Sequence, residues 1–258
     1  MPINEQSRVW DGVYTSFSEI TYEHDVFEET IWSEKQVKRA QAALLDSKAG
    51  RSPLGVTNDY ALPVVAALAA PTGRALRILD FGGGLGTSYI SLKSMLAPRQ
   101  KVAFVIVENA TMCDAGDKMF ADDTAITFRS SIPCDERFDI VHAGSSIHYV
   151  DDWRGTIRQL AGTGPNYILF ADLPAGDIDT FVTGQSFHGR QIPVRFWNAG
   201  EFSSCVEGFG YELIFKAAYA GGYLEQDASL PTSHFDSRHR LDHFCQLVFR
   251  RKRLAPGR

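Results

Sequence analysis

The sequence predicts a doubly wound α/β fold with a mostly parallel, seven-stranded sheet, and three observations support this prediction. Strand and helix patterns alternate from about residue 59 onward, which is typical of βαβ units with right-handed crossovers. Residues 102–107 form a continuous apolar run, as expected for a strand that is buried on both faces of a parallel sheet. Two strand patterns near the C-terminus, 211–218 and 244–250, indicate an antiparallel pair that closes the sheet.

The other elements follow from their local patterns. Residues 60–70 are apolar and rich in alanine, which favours a packed helix with Pro63 in its first turn. Further helices are predicted at 85–96, 112–120, 151–160 and 198–206, and further strands at 76–81, 125–128, 138–142 and 167–170. Residues 1–58 carry many aromatic and charged side chains and are predicted to form an N-terminal helical cap on the main domain, 59–258.

Length, charge and cysteine usage restrict the class of protein. The chain has 258 residues, 44% of them hydrophobic, which is enough for one sizeable core. Its formal net charge is −5 at pH 7, so no nucleic-acid partner is expected. A polar N-terminus, scattered cysteines and the lack of a long apolar run predict a cytoplasmic protein without a membrane partner. The spacing of the histidines at 234, 239 and 243 does not match a structural zinc site, so no metal is expected.

A glycine turn between the first predicted strand and the following helix is the most informative motif. It begins after Asp80 and contains Gly82, Gly83, Gly84 and Gly86. A strand that runs into such a turn and then a helix brings backbone amides close to a nucleotide-like ligand. A dinucleotide fingerprint, G-x-G-x-x-G/A, would need a small residue where Thr87 or Tyr89 stands, so the spacing disfavours a nicotinamide enzyme.

The D-x-G-x-G-x-G pattern resembles motif I of the class I S-adenosylmethionine-dependent methyltransferases, which have a Rossmann-like fold. In that family the glycines admit the methionine part of the cofactor, and the acid helps to organise its amino group. The resemblance therefore implies S-adenosylmethionine as the cofactor of this chain.

Residues that follow three further strands complete the predicted cofactor site. Glu108 ends the second strand, where an acid can accept hydrogen bonds from both ribose hydroxyls. Ser130 or Ser131 could accept a bond from the adenine amino group, at a position where many methyltransferases have an acid or an amide. Small residues at 143–146 let the chain pass beside the sulfonium. The predicted cofactor-binding residues are Asp80, Gly82, Gly83, Gly84, Gly86, Glu108, Asn109, Ser130, Ser131, Gly144 and Ser145.

Four segments together resemble a bacterial group of methyltransferases known as the LIC12133 type. They are WDGVY near the N-terminus with the following Ser16 and Phe17, then DFGGGLGTSY, SSIHYVDDW and QSFHGRQIPVRF. The resemblance covers nearly the whole chain and implies a sugar or other small-molecule acceptor in surface-polysaccharide or secondary biosynthesis. It does not carry a catalytic role to His148, because that position often has another polar side chain in the group.

Methyl transfer requires alignment of the acceptor and, for a hydroxyl acceptor, a positioned base. His148 lies at a strand end, and His188 lies in a glycine-flanked loop that could close over the site as a lid. Both histidines are candidate bases near neutral pH. The lesser candidates, as acceptor-orienting groups, are Tyr14, Tyr149, Asp172, Gln185 and Arg195.

Three functional classes stay open at this point. The favoured one is methyl transfer to a small molecule, at oxygen more than at nitrogen. A nicotinamide or nucleotide-sugar enzyme is the second, and a non-catalytic, cofactor-binding partner of a biosynthetic enzyme is the third. The oligomeric state is also open, with a homodimer as one alternative.

Overall fold

Two sheets and six helices are found in a computed structural model that describes residues 8–22, 30–50, 59–187, 190–219 and 230–253. The strands of the larger sheet are β2 (Leu76–Phe81), β3 (Val102–Val107), β4 (Ile126–Arg129), β5 (Ile140–Gly144), β6 (Tyr167–Leu173), β10 (Tyr211–Ala218) and β11 (Cys245–Arg251). Those of the smaller sheet are β1 (Trp10–Tyr14), β7 (Ala175–Gly176), β8 (Phe181–Phe187) and β9 (Arg190–Asn198). The helices are α1 (Thr30–Lys48), α2 (Ala61–Ala69), α3 (Thr87–Met95), α4 (Ala110–Met119), α5 (Trp153–Gly162) and α6 (Ala199–Glu207).

The larger sheet has the strand order β10-β11-β6-β5-β2-β3-β4. Neighbouring strands from β4 to β6 are parallel, whereas β11 is antiparallel to both β6 and β10. The prediction of a mostly parallel, seven-stranded sheet with an antiparallel pair at one edge is therefore confirmed. The five helices predicted between residues 60 and 210 are also present, as α2 to α6.

Both faces of this sheet are covered by helices, because its strands carry apolar side chains on both sides. Ile78 and Ile106 pack in one hydrophobic cluster with residues of α2 and α3. Leu79 and Val105 point to the opposite face and pack in a second cluster with residues of α5 and α6. This alternation within continuous apolar strands is the pattern expected of a doubly wound sheet.

The direction in which the chain winds reverses between β2 and β5. From β2 the chain moves outward through β3 to β4, and it then returns to place β5 on the other side of β2. The register pairs Asp80 of β2 with His142 of β5. In open α/β sheets, ligands bind outside the carboxyl ends of the strands at such a switch point.

The prediction of a helical N-terminal cap is wrong for residues 10–14. They form strand β1, which pairs antiparallel with β8, and Trp10 lies opposite Gln185. The cause is the period-two alternation of the segment, which buries Trp10 against the rings of Phe196 and Phe244. Further along, α1 is helical and packs against α3, with Ala40 and Ala43 fully buried.

The residues that flank the predicted lid loop, Phe187 and Arg190, belong to the antiparallel strands β8 and β9 and pair with each other. His188 itself lies outside the described residues. Within the part of the chain that is described, no helix is long and apolar enough to cross a membrane.

Candidate functional site

A cavity of about 170 Å³ lies at the carboxyl ends of β2, β3, β5 and β6, at the switch point of the larger sheet. The glycine turn forms one wall, and α1 contributes Gln36 and Arg39 to another. The lining residues are Gln36, Arg39, Asp59, Asp80, Gly82, Gly83, Gly84, Thr87, Ser88, Glu108, His142, Gly144, Ser145, Ala171, Asp172 and Tyr219.

Glycine is required at two positions of the turn for different reasons. Gly82 has a φ of +67°, and a Cβ atom there would lie 2.4 Å from Cβ of Ser146. At Gly83 a Cβ atom would lie 2.4 Å from Oδ2 of Asp80. The turn therefore passes so close to the neighbouring strand ends and to Asp80 that side chains are excluded.

Asp80 has an oxygen atom that is buried and available to a ligand. The residue is fully buried, and its Oδ1 lies 2.7 Å from Nδ1 of His142. Its Oδ2 has no hydrogen-bond partner among the described residues. A buried acceptor without a partner costs about 1–3 kcal/mol, so a donor supplied by a ligand would stabilise the site.

Glu108, which follows β3, also presents a carboxylate to the glycine turn. Its Oε1 accepts a hydrogen bond from the backbone N–H of Gly84, and its Oε2 accepts one from that of Asn109, both at 3.0 Å. Burial raises the pKa of Glu108, and the two N–H groups counteract this. Each oxygen keeps a second lone pair for a ligand hydroxyl, as a ribose would require.

A buried histidine lies between two buried carboxylates, and all three residues line the cavity. Nδ1 of His142 is 2.7 Å from Oδ1 of Asp80, and Nε2 is 2.7 Å from Oδ2 of Asp59. Burial by itself lowers the pKa of His142, but the charges of Asp80 and Asp59 outweigh it and raise the pKa to about 10. The histidine is therefore an imidazolium at neutral pH.

Ser145 and Asp172 line the cavity from the ends of two neighbouring strands, β5 and β6. The hydroxyl of Ser145 donates a hydrogen bond to Oδ2 of Asp172. Burial raises the pKa of Asp172, while Ser145 and the charge of Arg39 act in the opposite direction. The pair forms a polar part of the cavity wall.

Eight of the predicted site residues are brought together around this cavity. They are Asp80, Gly82, Gly83, Gly84, Glu108, Gly144, Ser145 and Asp172. Four predicted cofactor residues have other surroundings. Asn109 caps α4 by accepting a hydrogen bond from Met112 N–H, and Ser130 and Ser131 are exposed after β4. Gly86, where a Cβ would lie 3.0 Å from Cδ1 of Ile126, packs against the core.

His148 and Tyr149 lie in a short 3₁₀ turn after β5, outside the set of described residues that line the cavity. His148 is 4% exposed, and burial lowers its pKa to about 3. It is therefore a neutral imidazole that gains a proton with difficulty. The hydroxyl of Tyr149 donates a hydrogen bond to Oε1 of Gln185 at 3.0 Å and so connects this turn to the smaller sheet.

Tyr14 and Arg195 belong to the smaller sheet and its surroundings. The guanidinium of Arg195 lies 5.0 Å from the centroid of the Phe17 ring and 3.3 Å from Oδ1 of Asp151. Tyr14 packs with Phe17 in a small hydrophobic cluster on this sheet. These contacts place both residues outside the cavity lining as far as the chain is described.

Several lining residues were not predicted from the sequence. Gln36 and Arg39 belong to a polar helix, where their spacing is typical of an ordinary exposed face. His142 did carry a signal, because an ionisable residue at the end of a buried parallel strand needs a partner.

No model of a known protein family matches the chain, and no match was found among curated proteins. Solved structures resemble it at low sequence identity. One of them is a chain in the complex between the Haloferax volcanii Trm112 methyltransferase activator and a methyltransferase. It is 13% identical to this chain, with a TM-score of 0.56, and the match covers 90% of this chain and 99% of that one.

Two further structures have TM-scores of 0.51. An S-adenosylmethionine-dependent methyltransferase from Listeria monocytogenes is 10% identical, covering 71% of this chain and 94% of its own. The [4+2]-cyclase SpnF is 14% identical, covering 75% of this chain and 81% of its own. At these identities the similarity establishes the fold, which is the Rossmann-like fold found in methyltransferases.

Proposed function

We propose that this chain is an S-adenosylmethionine-dependent methyltransferase that acts on a small-molecule acceptor. The observation that carries the proposal is the pair of acids that lie against the glycine turn, Asp80 at Gly83 and Glu108 at Gly84. Asp80 offers a buried Oδ2 without a described partner, and Glu108 offers two oxygens with spare lone pairs. A ligand with an ammonium group at one end and a ribose diol at the other satisfies both.

The residues present fit this cofactor better than a dinucleotide. The cavity is lined by four acidic residues against two cationic ones, so a pyrophosphate would face an acidic lining: the acids are Asp59, Asp80, Glu108 and Asp172, and the cations are Arg39 and His142. S-adenosylmethionine carries a positive sulfonium and a positive ammonium, and this complements the acidic lining. Gly83 admits the ligand beside Asp80 because it has no side chain.

When bound, the cofactor would supply a methyl group on a positively charged sulfur. The chain's own residues would hold the ammonium at Asp80, hold the ribose hydroxyls at Glu108 and orient the acceptor at Ser145 and Asp172. Alignment of this kind supplies about 7–11 kcal/mol in intramolecular models of bimolecular reactions. The roles of His148 and His188 as bases stay predictions. Because His148 is buried outside the cavity lining and Asp172 belongs to that lining, we favour Asp172 as the group that contacts the acceptor.

A polar acceptor, methylated at oxygen rather than nitrogen, suits the hydroxyl and carboxylate of Ser145 and Asp172 together with the charge of Arg39. The motifs shared with the LIC12133 type support a role in surface-polysaccharide or secondary biosynthesis, in the cytoplasm.

We keep the division into an N-terminal portion, 1–58, and a cofactor-binding domain, 59–258. Gln36 and Arg39 line the cavity, and this supports the division, because the N-terminal portion then covers the cofactor site of the domain 59–258.

Calorimetric titration of the full chain tests the proposal. We expect S-adenosylmethionine and S-adenosylhomocysteine to saturate the protein and NADH to leave it unchanged. Saturation by NADH without binding of the other two compounds would overturn the assignment. Release of S-adenosylhomocysteine in a mixture of candidate acceptors would then separate an enzyme from a non-catalytic, cofactor-binding partner.

A further inference from the structure

We infer that His142 is a positioning residue for Asp80. Asp59 holds His142 in place, and His142 fixes Oδ1 of Asp80. Oδ2 of Asp80 is then left to receive the amino group of the ligand. The inference rests on the proposed function, because it concerns the residue to which that function assigns the ammonium. It adds two residues, His142 and Asp59, to the machinery of the site.

The contacts form a continuous chain of three residues that all line the cavity. Asp80 and His142 are paired across β2 and β5, so their side chains leave the sheet on the same face. Asp59 approaches from the start of α2, where its Oδ1 accepts hydrogen bonds from the N–H groups of Ala61 and Leu62 at 3.1 and 3.2 Å. The same oxygen accepts a hydrogen bond from the amide of Gln246 on β11.

Each member of this chain is in contact with the next. Asp59 is fixed by the helix terminus and by Gln246, His142 is fixed by Asp59, and Asp80 is fixed by His142. Nε2 of His142 and Oδ2 of Asp59 are joined only by their ion-pair contact, whereas Oδ2 of Asp80 has neither a hydrogen bond nor an ion pair among the described residues and faces Gly83 and the cavity. The arrangement therefore orients one specific oxygen toward the space that a ligand would enter.

The charges of the group are consistent with a cationic ligand. Two carboxylates and one imidazolium carry a formal net charge of −1, and this charge is buried within the fold. Buried charges require a compensating partner. An ammonium at Oδ2 of Asp80 would complete the compensation.

Two ligands that differ in the amino-acid portion separate positioning from a general structural role. S-adenosylhomocysteine carries the ammonium, whereas methylthioadenosine keeps the adenosine and the sulfur but lacks the amino acid. We expect His142→Asn to weaken S-adenosylhomocysteine binding at least tenfold and methylthioadenosine binding less than twofold. The control His239→Asn changes a histidine that packs against Phe181, outside the described lining, and should leave both affinities unchanged.

Equal weakening of both ligands in His142→Asn would overturn the inference, and so would unchanged binding of S-adenosylhomocysteine. A wild-type protein that binds neither ligand would instead contradict the proposed function, so the two failures are distinguishable.

A second measurement on the wild-type protein does not depend on the folding of a variant. In the NMR spectrum of the ligand-free protein at pH 8.5, we expect an imidazolium with two slowly exchanging ring N–H protons. Its Cε1 proton should lie close to Gly144, since a Cβ atom on that glycine would be 2.9 Å from Cε1 of His142. A neutral ring at this position at pH 7 would overturn the inference.

Discussion

Ser145 and Asp172 are hydrogen-bonded to each other, and both have a left-handed backbone, with φ of +53° and +52°. They are the two residues other than glycine with positive φ in the described part of the chain. The left-handed conformation costs a residue with a side chain roughly 1–2 kcal/mol. Strain of this kind is concentrated at functional sites, and here both strained residues line the cavity.

We expect Ser145→Gly to be more stable than Ser145→Ala by about 1 kcal/mol. Both variants lose the hydroxyl, so their difference reports the strain that glycine relieves at positive φ. Ser146, with φ of −130°, is the matched control. There the glycine variant should be the less stable of the two, because glycine loses more backbone entropy on folding. Urea denaturation of the four variants measures both differences, and the same sign at the two positions would contradict the assigned strain.

We expect Glu108→Ala to weaken S-adenosylmethionine binding at least tenfold. Hydrogen bonds to a charged acceptor contribute about 1.5–3 kcal/mol, and tenfold in affinity corresponds to about 1.4 kcal/mol. Glu136→Ala is the control, because that glutamate pairs with Arg77 away from the described cavity. Calorimetry measures both affinities, and an unchanged value for Glu108→Ala would remove Glu108 from the site.

We expect Gly83→Ala to weaken cofactor binding while the protein still folds. The added methyl group would meet Oδ2 of Asp80, and the carboxylate would have to turn away from its present position. Gly162→Ala, in α5, adds a methyl group with no described atom within 4 Å and should leave binding unchanged. It should also stabilise the protein slightly, because alanine favours helix. Equal affinities of the two variants would show that the contact with Asp80 has no role in binding.

The charge on His142 predicts a loss of stability at alkaline pH. Its pKa is about 10 in the folded protein, against an ordinary value of 6.5. The stabilisation is therefore complete below about pH 6.5 and is lost as the pH rises toward 10. Asp59→Asn removes one of the two charges that raise this pKa, so the free energy of unfolding should fall less steeply over the same range. Parallel stability profiles for the wild type and Asp59→Asn would contradict the ion pair.

His148 predicts the opposite dependence, at acid pH. Burial lowers its pKa from 6.5 to about 3, so the unfolded chain binds a proton more readily than the folded one in that interval. Stability is therefore lost as the pH falls from about 6.5 toward 3, by about 1.4 kcal/mol per pH unit at most. His148→Leu has no proton to gain and should lose less stability between pH 6.5 and 4.5. Urea denaturation at the two pH values decides the point, and identical losses would contradict a buried neutral ring.

The larger sheet could be predicted because its strands are apolar on both faces and stand between clear helix patterns. The glycine turn and Glu108 were predictable for a related reason, since their positions at strand ends are tied to the sheet itself. The smaller sheet was missed because β8 contains Gly184 and β9 contains Pro193, and both residue types are depleted in strands. Its pairing with β1 joins segments far apart in the chain, and no local pattern reveals such a contact.

The cavity wall formed by α1 was hidden for a different reason. Gln36 and Arg39 are polar residues on a polar helix, and only the packing of α1 on α3 directs them to the site. The sequence pattern places Asp59 just before a predicted helix and His142 at the end of a predicted strand. Their partnership depends on how α2 meets β5, which is a property of the tertiary structure.

The pairing of β1 with β8 has a consequence for the order of events during synthesis. Trp10 leaves the ribosome long before Gln185, its partner across the two strands, has been translated. The first strand therefore has an unpaired edge and an uncovered indole for most of the time that the chain is being made. Such edges promote association between nascent chains, so slow translation of the middle of the gene should favour aggregation.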